Sequence, residues 1–302
     1  MRWNDRVYGE VAIDDPDVLA LIGGPTFQRL RGIKQAGPSA FAFPFKTVTR
    51  FEHSLGVYLL LRRLGADRRE QVAGLLHDLS HTAFSHAVDF VFSSEEQNHH
   101  ERLKHEFLER PDVVAALAPL GFAPEDFLDD AIYPLLERPL PWLCADRLDY
   151  FCRDSLACGV ARPEDVGRFL GDLDVIDATI VFNDVAVARE AADLFAVMNR
   201  DWWASPTEAY LYNEFADALR EAFRLGILHQ RDLFDDDARV LTMLQQARNP
   251  TITEKLRNIQ DFKPERVLGY VPRVLPKVRW LDPPVRTGPE TFRRLSEWES
   301  PD

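Results

Sequence analysis

The sequence predicts a mainly α-helical fold with a small β element. Apolar residues recur at helical spacing through most of the 302 residues. The helical stretches open at recognisable caps and close at glycine or proline. One short region, 179–187, instead carries β-branched apolar runs.

Taken in order, Pro25 opens a helix that closes near Gly37. Residues 51–64 follow Thr49 as a cap and stop at Gly65. Residues 67–79 form a further helix whose last turn carries His77 and Asp78, and 83–92 and 100–109 continue the pattern. Residues 124–137 and 143–157 read as two helices separated by Pro139 and Pro141. The runs 179–182 and 185–187 flank Asn183-Asp184 and predict a hairpin. A long helix over 190–225 then stops at Gly226. The domain reading is a core over 1–160, a helical extension over 161–250 and a Pro-rich, basic, irregular appendage over 251–302.

Composition narrows the function. A net charge of −13 argues against electrostatic wrapping of nucleic acid. The charge is uneven: residues 251–302 carry a net of +2, leaving −15 for residues 1–250. A polyphosphate ligand entering so acidic a body needs local positive charge and a metal. The longest apolar stretches, such as that around 58–61, are too short to span a bilayer, and the N-terminus lacks a signal-peptide core. A soluble, cytoplasmic protein is expected. Cys144, Cys152 and Cys158 are odd in number and spaced unlike a zinc knuckle, which suits free thiols in a reducing compartment.

The histidines cluster. All but one of the eight lie between 53 and 105, interleaved with Asp78 and Asp89. Histidine with carboxylate is the usual N/O ligand set of a divalent first-row ion. Neighbouring helical residues point about 100° apart, so His77 and Asp78 can share a metal only where a helix end faces it. Two more ligands must come from other helices, and His53 and Asp146, each framed by apolar residues, are the natural candidates. His86 and Asp89 share a helix face at i, i+3, and Tyr150 and Asp154 share one with Asp146 at i+4 and i+8.

Five strings carry a family resemblance: DRVYG (5–9), PTFQRLRGIKQAG (25–37), RFEHSLGV (50–57), GLLHDLSHTAFSH (74–86) and ADRLDYFCRDS (145–155). In this order and spacing they resemble the HD-domain metal-dependent phosphohydrolases, and most closely the deoxynucleoside triphosphate triphosphohydrolase branch. The resemblance covers residues 1–160 well and loosens beyond 195. It implies that His53, His77, Asp78 and Asp146 hold one divalent ion (Mn, Fe, Co, Ni, Zn or Mg), with a second Mg arriving on the substrate phosphates. It implies catalytic roles for His86, backed by Asp89, and for His100. Gln35, Arg50, Arg147, Tyr150 and Asp154 are the implied substrate contacts, and a homo-oligomer is the implied assembly. The expected reaction converts a dNTP to deoxynucleoside and triphosphate. The alternatives are a phosphatase removing phosphates stepwise from a nucleotide or another phosphorylated metabolite, and a non-catalytic nucleotide sensor. Trp202, Trp203 and Tyr210 serve either to stack on a base or to pack the core.

Overall fold

The computed structural model describes residues 1–91 and 99–298, with side chains of 99–101 outside the description. It is mainly α-helical, with a two-stranded N-terminal hairpin (Arg2–Asp5 with Gly9–Ala12) and one four-stranded sheet. No helix among the described residues is long and apolar enough to cross a membrane.

The central element is the helix Arg50–Arg63. Its N-terminus is closed by a reciprocal cap: the Glu52 amide donates to the Thr49 hydroxyl, and the Thr49 amide donates to the Glu52 carboxylate. The chain then turns at Gly65, whose φ of 76° suits glycine. Phe51 and every residue from His53 to Leu61 are buried, as expected of a helix surrounded on all sides by protein. Two helices pack on it where it carries glycine or faces one. Arg68–Leu76 approaches through Gly74, where a Cβ would meet Leu61 Cδ1 at 2.5 Å. Ala145–Ala157 crosses at Gly56, where a Cβ would lie 1.9 Å from Asp149 Oδ1 and 2.2 Å from Arg153 Nη2. These two approaches bring the ends carrying His77 and Asp146 to the flank of His53.

The turn after Arg68–Leu76 is held by the C-terminal half of the chain. The Asp237 carboxylate accepts from the amides of Lys34 (2.8 Å) and Phe84 (2.6 Å), and the Ala83 amide donates to the Leu233 carbonyl. Phe84 and Ser85 have φ of 61° and 53°, so this turn depends on outside contacts to persist. A second apolar cluster lies beneath it, built from Phe84, Phe90, Phe215 and Leu219 with the helix Pro250–Gln260.

Several expectations from sequence need correction. The helix opened by Pro25 tightens into a 3-10 turn and ends at Gly32 rather than near Gly37, and the helix expected over 83–92 is confined to Ala87–Val91 by the left-handed Phe84 and Ser85. The region over 251–302 begins with the helix Pro250–Gln260 rather than being irregular throughout. The hairpin placed at 179–187 is instead Leu173–Ile176 paired with Thr179–Phe182, turning at Asp177 and Ala178 in left-handed conformation. Asp184 accepts from the amides of Ala186 and Val187 and so caps the helix Val185–Met198, which removes 185–187 from the strand. The long helix expected over 190–225 is two, Val185–Met198 and Pro206–Arg224, separated by a wide turn over Asn199–Trp203 and recapped by Ser205. The helix expected over 124–137 is reduced to short 3-10 turns, because Pro124 and Pro134 bracket it and the Asp129 side chain accepts from the Ala131 amide.

The C-terminal residues return to the body. An extended strap over 268–283 leads into strands Pro284–Gly288 and Thr291–Arg294, and the first pairs in parallel with Thr179–Phe182 at Phe182 and Val285.

The crossing at Gly56 gives a direct test. Gly56→Ala forces Asp149 and Arg153 apart, and the chemical denaturation midpoint should fall by the equivalent of about 1–3 kcal/mol. The same substitution at the exposed Gly171, which has no neighbour within 4 Å, should leave it nearly unchanged.

Candidate metal centre and active-site cavity

Four side chains expected to act together converge. His53 Nε2 lies 2.9 Å from Asp146 Oδ1 and 3.2 Å from His77 Nε2. His77 Nε2 is 3.5 Å from both Asp146 Oδ1 and Asp78 Oδ1, and Asp78 Oδ2 is 3.6 Å from His53 Nε2. Ligands about 2.1 Å from a common ion sit roughly 3.0–3.4 Å apart, so the spacing of His53, His77 and Asp146 suits one divalent cation. Asp78 reaches both histidines but lies outside that tight group, with one oxygen turned to Arg50 and the other to His81.

The far ring nitrogens are already engaged. The Nδ1–H of His77 donates to the Gly74 carbonyl (2.9 Å) and that of His53 to Asp149 Oδ2 (2.7 Å). Both imidazoles therefore turn their Nε2 atoms to the centre, the arrangement that hydrogen-bond partners of the other ring nitrogen impose at metal sites. The donor set fits a first-row divalent ion and does not discriminate among them.

Asp149 is the residue that sequence reasoning missed. It also accepts from Arg153 Nε (2.7 Å) and the Tyr8 hydroxyl (2.8 Å), and Arg153 Nη2 donates to Asp5 Oδ2 (3.1 Å). Asp149 and Arg153 are fully buried. A signal was available: the ADRLDYFCRDS string places two charges at i, i+4 on the buried side of an amphipathic helix, and DRVYG supplies Asp5 and Tyr8.

These contacts set the electrostatics. Burial alone would lower the His53 pKa, but hydrogen bonds to Asp146 and Asp149 and the Asp78 charge raise it to about 10. His77 is also raised: burial opposes the shift, and the Asp78 and Asp146 carboxylates drive it. Against burial, Arg50 and the neighbouring histidines hold Asp78 well below the ordinary carboxylate range. The facing histidines do the same for Asp146.

The centre opens into a cavity of about 930 Å³. His81 is buried and bonds Asp78 Oδ1 at 3.2 Å. His86 Nδ1 pairs with Asp89 Oδ2 at 3.0 Å, and its ring meets that of His81 edge to face at 4.8 Å. Gln35, Tyr150 and Asp154 all line the cavity. The Gln35 Oε1 is buried without a partner among the described residues. Trp203 Nε1 donates to Asp154 Oδ2 (2.9 Å), and burial raises the Asp154 pKa.

The two arginines differ from a simple phosphate clamp. Arg50 donates Nη1 to Asp78 (2.6 Å) and Nε to Ser85 (3.0 Å). Arg147 donates Nη1 to the Trp142 carbonyl and Cys144 Sγ, and Nη2 to the Arg138 carbonyl and Glu137 Oε1. Trp202 and Trp203 reach the cavity wall, whereas Tyr210 is buried in the second apolar cluster. The side chain of His100 lies outside the described residues. The cysteines are free thiols.

Comparison with known proteins follows the same lines. A family profile described as "HD domain" matches residues 50–140. The chain is 35% identical over 292 residues to metal-dependent phosphohydrolase cns2 of Cordyceps militaris, covering 93% of this chain and 84% of that protein. It is 36% identical over 260 residues to the uncharacterized protein YdhJ of Bacillus subtilis, covering 86% and 80%. At 25% identity over 324 residues it matches a deoxynucleoside triphosphate triphosphohydrolase SAMHD1 homolog of Dictyostelium discoideum, covering 92% of this chain and 62% of that one.

Two outcomes follow from this geometry. Asp149→Asn replaces the charged acceptor that orients the His53 ring with a neutral, weaker one, and divalent-ion affinity by competition titration should fall about 10–100-fold. In the metal-free protein, a folded His53 pKa of about 10 against 6.5 stabilises the fold fully below 6.5, and this contribution is lost as pH rises through 10. At neutral pH an incoming ion must displace that proton. Calorimetry in buffers of different ionisation enthalpy should register at least one proton released per ion, with affinity rising as pH rises.

Proposed function

Because the chain belongs to the HD-domain family of metal-dependent phosphohydrolases, we propose that it hydrolyses a (deoxy)nucleotide at the His53–His77–Asp78–Asp146 centre. The substrate in this reading is a dNTP, cleaved to deoxynucleoside and triphosphate. The observation that carries it is the continuity of one cavity from the metal-ligand cluster to Gln35, Tyr150 and Asp154. Its size is that of a pocket for a nucleotide-sized ligand.

A divalent ion bound at the centre supplies Lewis-acid polarisation of a phosphoryl oxygen and acidifies water. The chain's own residues do the rest. His86, oriented through Nδ1 by Asp89 and lining the cavity, is the group that protonates the leaving oxygen. Arg50 holds the Asp78 carboxylate in place and brings positive charge to the cavity floor. Asp154, fixed by Trp203, and the unpartnered Gln35 carbonyl accept from sugar hydroxyls. Tyr150 forms the adjacent wall and meets Trp203 edge to face at 5.2 Å. The 25% identity to the deoxynucleoside triphosphate triphosphohydrolase SAMHD1 homolog supports the triphosphohydrolase reading.

The test is a panel of nucleoside mono-, di- and triphosphates with metal-reconstituted protein, resolving triphosphate from pyrophosphate and orthophosphate. Triphosphate with free nucleoside is the expected result. Orthophosphate alone would replace it with stepwise dephosphorylation. Asp146→Ala should retain the helical circular dichroism spectrum and lose at least about 10³-fold in kcat/KM; full turnover in that variant would remove Asp146 from the site.

A further inference from the structure

The cavity has few cations to spare. Four of its cationic side chains are matched to carboxylates: Lys46 to Glu208, Arg50 to Asp78, Lys104 to Asp130 and Arg147 to Glu137. Arg138 gives its guanidinium to the Pro134 and Ala178 carbonyls. Lys277 and Arg279 also line the cavity, and they have no carboxylate partner among the described residues. Both belong to the C-terminal strap, the basic end of an otherwise strongly acidic chain.

The strap is placed with care. Asn213, buried in the helix Pro206–Arg224, accepts from the amides of Arg273 (3.1 Å) and Val274 (3.2 Å) and donates to the Val274 carbonyl (2.8 Å). Asn199 accepts from the Arg279 amide at 2.8 Å, and the Asp282 amide donates to the Pro141 carbonyl at 3.1 Å. Two scaffold side chains thus clasp an extended backbone that makes no ladder of its own over 268–283. Along an extended segment side chains alternate. Val278 and Trp280 point outward at 63% and 54% exposure, while Lys277 and Arg279 face the cavity. Arg279 lines the same cavity as Tyr150 of the Asp146 helix and Tyr212. Its Nη1 is steadied by the Lys277 carbonyl at 3.0 Å.

We propose that Lys277 and Arg279 bind the phosphate chain of the substrate beyond the phosphorus held at the metal centre. The proposal rests on the reading of the cavity as a phosphate-ester site. Cations without a carboxylate partner at the rim of a net negative body are available for an anion, and Arg279, fixed through its amide and Nη1, has the planar fork that matches phosphate oxygens. The residues set affinity for substrates with additional phosphates, and the chemistry at the metal is left to the histidines.

The test combines kinetics with binding of a probe that needs no turnover. In Lys277→Gln/Arg279→Gln, KM for a nucleoside triphosphate should rise at least about tenfold with kcat within about twofold. The Kd of magnesium tripolyphosphate for metal-loaded protein, by calorimetry, should weaken by the same factor. Val278→Ser, one residue away and facing outward, should change neither. Unchanged tripolyphosphate affinity in the double variant overturns the proposal, as does a loss confined to kcat. If wild-type protein turns over no nucleotide but the double variant still loses tripolyphosphate, the nucleotide reading fails and the strap assignment stands.

Discussion

The structure around the metal centre depends on one buried run of charge, from Asp5 through Arg153 and Asp149 to His53. Arg153 is fully enclosed, and its two carboxylate partners come from the N-terminal hairpin and from its own helix. Such a run is costly to desolvate and is kept only where each member satisfies the next. Removing one partner of a buried pair costs about 3–5 kcal/mol, because the other is left charged and alone. Here the cost has a product: His53 is held with its Nε2 facing Asp146 and His77. The arrangement also explains Gly56, since no side chain can stand where Asp149 and Arg153 enter.

The same run joins distant segments. Asp5 and Tyr8 close the centre from the N-terminus, while Asp237 and Leu233 fix the turn carrying His81 and His86 from the far side. The strap then crosses from the second apolar cluster back to the sheet. Ligands from helix ends and rigid walls from three parts of the chain give a site whose first contacts are preorganised. Within the strap, Lys277 and Arg279 bring positive charge to the cavity of an otherwise acidic body, while Arg273 pairs with Asp217 elsewhere.

What could be read from sequence divides by range. The convergence of His53, His77 and Asp146, with Asp78 beside the histidines, was legible because residue type carries coordination chemistry, and the helices around it have strong local caps. Thr49 and Gly65 end their helix where expected. The hairpin was misplaced because Asn183-Asp184 resembles a two-residue turn, whereas Asp177-Ala178 gives no such signal and adopts left-handed φ through its surroundings. Asp149 and Arg153 were hidden inside a recognised string, since their role appears only when a second helix crosses at Gly56. The strap was visible only as proline content and a shift in charge. Its alignment is set by Asn199 and Asn213, contacts 60 to 80 residues away in sequence that no local pattern encodes.

The central claim is that one divalent ion sits among His53, His77, Asp78 and Asp146, with His53 aimed by Asp149. Anomalous X-ray diffraction at the absorption edge of the ion that supports activity tests it most directly. The expected result is one strong peak within about 2.0–2.3 Å of His53 Nε2, His77 Nε2 and an oxygen of each aspartate. A peak elsewhere in the cavity, with His53 and Asp146 still bonded to each other, would contradict it.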